Sequence, residues 1–318
     1  MSNAKVELGR RLFYDARLSG NQTYSCGSCH QQSRAFTDGR AQAMGSTGAI
    51  HPRSAMALAN VAYNVVFGWA DPGLHSLEAQ MHVPMFNEHP IELGVAGRET
   101  EIVARFQTPG DRAWFTAAFP GRTQPPDLDV IVKAIAAFER TLVSGSSPLD
   151  RYLYRDDRAA LSPAAVKGMS LFFSKQLHCS ECHSGFNLSG PVDFEVAKER
   201  PKPIFHNTGL YDVDGKGAYP AADRGLIDVS KTAADMGRFR APTLRNIAVT
   251  APYMHDGSLP TLDAVIDHYA LGGHASRFRS AEVRGFKMSP DDRATLLAFL
   301  GSLTDEEFLR NPAFGPLR

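Results

Sequence analysis

The sequence predicts a mostly α-helical chain folded as two lobes, and three observations predict it. Strand signals are few, while several segments carry apolar residues at helical spacing. The pattern C-x-x-C-H occurs twice, at Cys26-Gly27-Ser28-Cys29-His30 and at Cys179-Ser180-Glu181-Cys182-His183. Each copy follows a similar stretch, Gly9-Arg10-Arg11-Leu12-Phe13-Tyr14 in one case and Gly168-Met169-Ser170-Leu171-Phe172-Phe173 in the other. The linkers differ in length, as duplication followed by drift would leave them.

The repeated pattern carries the chemistry. C-x-x-C-H is the attachment signature of c-type haem. The two-residue spacer sets the sulfurs at the separation of the porphyrin vinyl groups, and the next residue brings an imidazole beneath the iron. The chain has 4 cysteines and both motifs together use them all. A single four-cysteine zinc site would not call for a His after each second Cys, and the two pairs lie far apart in sequence. Two local disulfides are the other alternative, although C-x-x-C disulfides are usually redox-active rather than structural. The reading is two cytochrome-c-like helical lobes, each carrying one covalent c-type haem: residues 5–155 and residues 156–318.

Composition narrows the class further. A chain of 318 residues can bury a substantial core. The formal net charge is zero, so nothing points to nucleic acid or an anionic membrane as partner. No apolar run is long enough to span a bilayer. Residues 1–4 read as a cloning remnant and are set apart from the fold. Covalent c-type haem is assembled outside the cytoplasm in bacteria, so a removed secretion signal and a periplasmic location are expected.

In chain order, residues 5–16 carry Leu8, Leu12 and Phe13 at helical spacing and lead to the first motif. Residues 39–52, rich in Gly and small residues, read as loop. Residues 130–144 show Ile131, Ile135, Phe138 and Leu142 on one face and read as a core helix. Ser146-Ser147-Pro148 breaks that pattern, and the lobe boundary falls within 147–161. Ser162-Pro163 is a helix start, with Ser as cap and Pro in the first turn. Residues 185–238 read as long functional loops. Residues 261–270 form a short helix stopped by Gly272-Gly273. Ser289-Pro290-Asp291-Asp292 caps the last long helix, to about Leu303.

Beyond the haem motifs, several stretches resemble the bacterial di-haem cytochrome c peroxidase and MauG superfamily over nearly the whole chain. They are Leu58-Ala59-Asn60, Trp69, Leu77-Glu78-Ala79-Gln80, Pro84, Pro90-Ile91-Glu92-Leu93-Gly94, residues 239–246 and residues 250–257. Within it, residues 45–48, 51–56 and 137–145 are most similar to the MbnH group, the MauG-like enzymes associated with methanobactin operons.

The resemblance implies roles residue by residue. The peroxidases cap the first haem with a His just before the Leu-x-Asn stretch, and Ser54 stands at that position here. Haem 1, held by His30, is then expected to keep an open face for peroxide. His51 sits three residues too early and reads as a surface or supporting His. The far ligand of haem 2 in the peroxidases is a Met. Tyr269 matches that position and resembles the His–Tyr haem of MauG, so His183 and Tyr269 would hold the second iron. Unplaced, Tyr269 would read as a core aromatic. Met254 and Met288 are the nearby alternatives. An anionic oxygen ligand stabilises oxidised iron, whereas Met favours the ferrous form.

Trp69 matches the tryptophan that couples the two haems; its plain reading is a core Trp. Gln80, Pro84 and Glu92 match the distal pocket of haem 1, with Glu92 moving the proton during O–O cleavage. On its own Glu92 would read as a solvated charge. The spacing is longer than the family's between Trp69 and Gln80 and between Pro84 and Glu92, so Glu88 stands as an alternative. Asn60, Thr250 and Pro252 match an inter-haem calcium site.

The expected activity is that of a peroxide-dependent di-haem oxidoreductase. Two oxidising equivalents would be shared over both irons through Trp69 and would oxidise a tryptophan to kynurenine on a copper-binding, MbnP-like partner. The alternatives are a cytochrome c peroxidase fed by a small cytochrome and a non-catalytic di-haem electron carrier. MauG relays the hole through a surface Trp before the second motif. Here that segment reads Lys175-Gln176-Leu177-His178, so the exit must differ, by way of Phe172, Phe173 or tyrosines.

Overall fold

Two crossed helix pairs carry the fold, and they are copies of one arrangement. A computed structural model describes residues 1–193 and 199–317. Residues 194–198, inside the loop stretch expected at 185–238, lie outside the described residues. Helix Asn3–Phe13 packs on helix Leu128–Glu139, and helix Pro163–Phe172 packs on helix Pro290–Gly301. A Cβ built on Gly9 would stand 1.8 Å from the Ala134 carbonyl oxygen, and one on Gly168 would stand 1.9 Å from that of Thr295. Only a residue without a side chain lets the backbones come this close. The next turn repeats the match, with Phe13 against Phe138 and Phe172 against Phe299, both at 5.2 Å between ring centroids. The sequence echo therefore marks the helix crossing of each lobe.

The caps explain most boundaries. Ser162 accepts the Ala165 N–H and Ser289 accepts that of Asp292, each ahead of a Pro in the first turn. Thr261 caps helix Leu262–Leu271, which stops at Gly272. The first helix starts earlier than its apolar pattern does. Ser2 accepts the Lys5 N–H, so residues 2–4, set apart as a remnant, are part of this element. The core helix ends at Glu139 rather than Ser144. Leu142 O accepts the Asn60 N–H, and the Ser144 backbone pairs with the Asn60 amide at 2.8 Å in both directions, which draws the chain out of helical register.

Three further helices precede it: Leu77–Phe86, Glu99–Ala104 and Pro109–Ala118. A helix at Pro148–Tyr154, capped by Ser147, occupies the stretch expected to separate the lobes. The two largest hydrophobic cores belong to these helix pairs. One joins Leu8, Phe13, Phe36, Ile131 and Phe138; the other joins Leu161, Phe172, Ile266, Leu296 and Phe299. The chain then crosses back. Phe308 and Leu309 of helix Glu306–Arg310 enter the first core, and Gln32 Nε2 donates to the Phe308 and Asn311 carbonyls. Within the described part of 185–238 the only strand is Phe205–His206, antiparallel to Phe239–Arg240. Among the described residues no helix is long and apolar enough to cross a membrane.

Candidate functional site

Each C-x-x-C-H motif forms one helical turn, Cys26–Cys29 and Cys179–Cys182, with its His at the C-terminal edge. His30 Nδ1 lies 2.7 Å from the Phe36 carbonyl oxygen, and His183 Nδ1 lies 2.9 Å from that of Leu188. A carbonyl can only accept, so both rings carry a hydrogen on Nδ1. The two acceptors share an unusual backbone, with Phe36 at φ 66° and Leu188 at φ 48°. Strain of this kind in non-Gly residues concentrates where a carbonyl must be aimed. Burial holds His30 below its ordinary range and takes His183 down to about 4, so both imidazoles are neutral.

All four cysteines are free thiols. Burial pushes Cys29, Cys179 and Cys182 up to about 12 and Cys26 further in the same direction. Among the described residues no group of three or more His, Cys, Asp or Glu side chains converges as a metal would require. The four-cysteine zinc alternative therefore has no site.

In the first lobe the helix Leu77–Phe86 contains Pro84, which has no N–H to give the Gln80 carbonyl four residues earlier. The returning chain fastens to this end of the helix: Leu93 N–H donates to Pro84 O and Val95 N–H to Met85 O. Glu92 lies at the head of that return, its carbonyl accepting the Ser46 N–H at 2.7 Å. Its carboxyl is half-buried and near enough to Cys29 to raise that thiol. Burial pushes Glu92 up to about 7, with the Asn87 side chain working against that rise. His51 Nε2 is 3.7 Å from Glu92 Oε1, while its Nδ1 accepts the Arg53 N–H. Glu88, by contrast, is exposed. The structure thus ties the segment after Glu92 to the Pro84 end of this helix, with Gln80 one turn earlier, and adds His51, whose distance in sequence from Glu92 hid the contact.

Between the lobes, Trp69 Nε1 donates to Ser54 O at 3.0 Å, and Trp69 O accepts the Arg240 N–H at 2.8 Å. Ser54 N–H donates to His255 O, and its hydroxyl lies 3.3 Å from both the Met254 and the His255 carbonyls. The Ser54 hydroxyl is thereby committed to backbone.

Trp69 also lines a largely apolar cavity of about 1780 Å³, counting its open mouth, together with Cys179, Cys182, His183 and Tyr269. No protein group among the described residues hydrogen-bonds the Tyr269 hydroxyl. Burial, then the neighbouring Cys182 and Cys179, hold this phenol well above its ordinary range. It would ionise only against a cation. Among the described residues the Arg240 guanidinium, on the same wall, meets only the Gly68 and Ala241 carbonyls and the Met56 sulfur, with no carboxylate in reach. Desolvation takes it down to about 10.

Thr250 and Pro252 also line this cavity. Neither carbonyl accepts a hydrogen bond among the described residues. The Asn60 amide faces Ser144 instead, which uses one of the two acceptor positions on its oxygen. Asn60 is absent from the cavity wall.

These features fit covalently attached haem. Each lobe offers two thiols free of disulfides beside a buried imidazole held through Nδ1. The second lobe adds an apolar void, an unpartnered phenol and an uncompensated guanidinium suited to a carboxylate. A helical protein with two such attachment centres is a di-haem c-type cytochrome by architecture.

The comparisons narrow this class. Residues 3–158 match the family model described as di-haem cytochrome c peroxidase, and residues 238–270 match a RoxA-like, cytochrome c-like model. The methylamine utilization protein MauG of Methylorubrum extorquens is 34% identical over 303 residues, covering 95% of this chain and 78% of the relative. Cytochrome c551 peroxidase of Pseudomonas aeruginosa is 32% identical over 307 residues, covering 96% and 80%. A solved structure of a MauG-like protein associated with microbial copper homeostasis superposes with a TM-score of 0.96 at 46% identity, over 99% of this chain and 93% of that one. The chain belongs to the di-haem cytochrome c peroxidase family, in which MauG stands, and is a peroxide-dependent oxidoreductase.

Proposed function

We propose that the protein uses hydrogen peroxide to oxidise a tryptophan of a copper-binding partner protein to kynurenine, in the periplasm. The observation that carries the reading is Tyr269, a phenol on the cavity wall with His183 and no protein partner for its hydroxyl. The likeness at TM-score 0.96 to a MauG-like protein associated with copper homeostasis supports the same choice.

The haems, held by Cys26, Cys29 and His30 and by Cys179, Cys182 and His183, supply iron that reacts with peroxide and stores oxidising equivalents. The chain's own residues do the rest. Ser54, with its hydroxyl bound to carbonyls, leaves the first lobe's far face open. Glu92 takes the proton from the incoming peroxide and returns it to the departing oxygen, a task for which a carboxyl near 7 is suited. His51 faces that carboxyl and orients it. Trp69 bridges the lobes through Ser54 and Arg240. A bound Ca²⁺ would take the free Thr250 and Pro252 carbonyls, with the remaining acceptor position of Asn60 as its third ligand.

A cytochrome c peroxidase fed by a small cytochrome is the second reading. Met254 favours it, because this thioether lines the same cavity as Tyr269.

Stoichiometric peroxide added to the diferric protein, followed by visible and near-infrared spectra, tests the choice. A long-lived oxidised state and kynurenine in the partner by mass spectrometry are expected. Turnover only with a reduced cytochrome would favour the second reading. A Tyr269→Phe variant should change the second haem's spectrum, and a Met254→Leu variant should not.

A further inference from the structure

The aromatic residues leaving the cavity wall form a ladder that ends at a tyrosine with its own base. Phe239 and His255 line the cavity and stack on each other, 3.7 Å between centroids with 16° between planes. Tyr219 stands 6.1 Å from Phe239 and 6.2 Å from His255, and Tyr211 follows at 5.5 Å. Trp69 packs against the same cluster. Tyr219 is 3% exposed, Tyr211 is half-buried, and residues 213–216 just beyond it are exposed.

The two tyrosines differ in what surrounds the hydroxyl. Tyr219 donates to Asn207 Oδ1 and accepts the Leu210 N–H, both at 3.1 Å, and no base is in reach of its proton. Tyr211 donates to Asp256 Oδ2 at 2.5 Å. Asp256 follows His255 in sequence, so one loop supplies both a rung of the ladder and the base. A phenol gives up an electron at low cost when a positioned group takes its proton in the same step. Phe173, packed on the buried Phe172, also reaches the surface at 48% exposed, but a phenyl ring has no such proton to release.

We propose that Tyr211 is the surface relay through which oxidising equivalents leave the protein, with Asp256 as its proton acceptor. The proposal rests on the peroxide-driven reading above. In the outward step Tyr211 loses one electron along Tyr219 and the Phe239–His255 stack to the haems, which hydrogen peroxide oxidises. Its O–H bond breaks and the proton goes to Asp256 Oδ2. The neutral phenoxyl then takes one electron from an aromatic side chain of the partner and recovers its proton from Asp256, while the partner's own proton goes to solvent. Two such turns supply the two electrons and two protons that convert one hydrogen peroxide to two waters.

The test uses the protein with both haems, grown with ring-deuterated tyrosine and frozen after stoichiometric hydrogen peroxide. Electron paramagnetic resonance should show an organic radical whose hyperfine splitting narrows on deuteration. The signal should be lost in Tyr211→Phe, lost or weakened in Asp256→Asn, and unchanged in Tyr154→Phe, which alters a tyrosine 65% exposed elsewhere. The optical response of the haems to peroxide should persist in all three. A haem response with no tyrosyl signal, or a signal that survives Tyr211→Phe, overturns the relay and leaves the peroxide reading standing. Haems that do not respond overturn both. Should Tyr211→Phe fail to fold, Asp256→Asn decides, and an undiminished signal there overturns the proposal.

Discussion

The two lobes are built alike where they hold a haem and unlike where they handle it. Gly9 over Ala134 answers Gly168 over Thr295, and the His30–Phe36 bond answers His183–Leu188. Asn60 and Asn246 both take a left-handed backbone, and both donate their N–H to a leucine carbonyl, Leu142 or Leu303. The differences begin one residue away. Arg245, beside Asn246, makes a two-bond ion pair with Asp150, the side chains 4% and 2% exposed, whereas Ala59 stands beside Asn60. Glu139, next to Phe138, is buried with Oε2 lacking a partner, whereas Leu300 stands next to Phe299. If the first lobe takes the peroxide and the second stores charge, as proposed, the buried carboxyls of the one and the buried ion pair of Arg245 in the other suit those tasks. The duplicated frame lets each be supplied without disturbing the other.

The largest effect should come from breaking the buried Arg245–Asp150 ion pair, which has no counterpart beside Asn60. Arg245→Ala leaves Asp150 buried and unpaired and should cost about 3–5 kcal/mol in denaturant unfolding, with much of it regained when Asp150 is also made Leu. A loss below about 1 kcal/mol, typical of an exposed pair, would mean that the asymmetry is without mechanical consequence.

Glu139 is next. Burial pushes it up to about 8, above its ordinary 4.5. The folded state therefore keeps a proton that the unfolded chain has released, so stability falls as pH rises from about 4.5 to 8. Glu139→Gln should remove that slope, opening a gap to wild type on the order of 3 kcal/mol between pH 5 and 8. Parallel pH profiles for the two proteins would contradict it.

Glu92→Gln should slow the reaction with peroxide by about 10²-fold while leaving the second haem's spectrum unchanged. The wild-type rate should titrate near pH 7 and the variant's should not. Equal losses at both haems would erase the division of labour.

Gly9→Ala and Gly168→Ala should each destabilise by about 1–3 kcal/mol, because the new methyl meets a backbone oxygen of the facing helix. Similar shifts in thermal unfolding would sharpen the symmetry, and a shift in only one would break it.

Much of the frame was legible in the sequence. C-x-x-C-H fixes its own local geometry, and Ser-Pro or Thr caps announce helix starts, because both act over a few residues. The contacts that make the site were harder to read. His51 meets Glu92, Tyr211 meets Asp256, and Phe308 enters the first core. None of these pairs has a local pattern. Helix Leu77–Phe86 was masked by Pro84, a residue that ordinarily ends helices. The helix at Pro148–Tyr154 was masked by the Ser-Pro break that in fact starts it.

By itself the sequence determined that the chain carries two C-x-x-C-H motifs for covalent haem and where along the chain they stand, since a pattern of neighbouring residues needs no fold to specify it. It also determined the mostly helical class, through apolar spacing. Only the tertiary structure decided which carboxyl faces the first attachment site, where the Ser54 hydroxyl is spent, and that an aromatic ladder runs from the cavity to Tyr211. Those are matters of burial and approach between distant segments, and such contacts exist only once the chain has closed on itself.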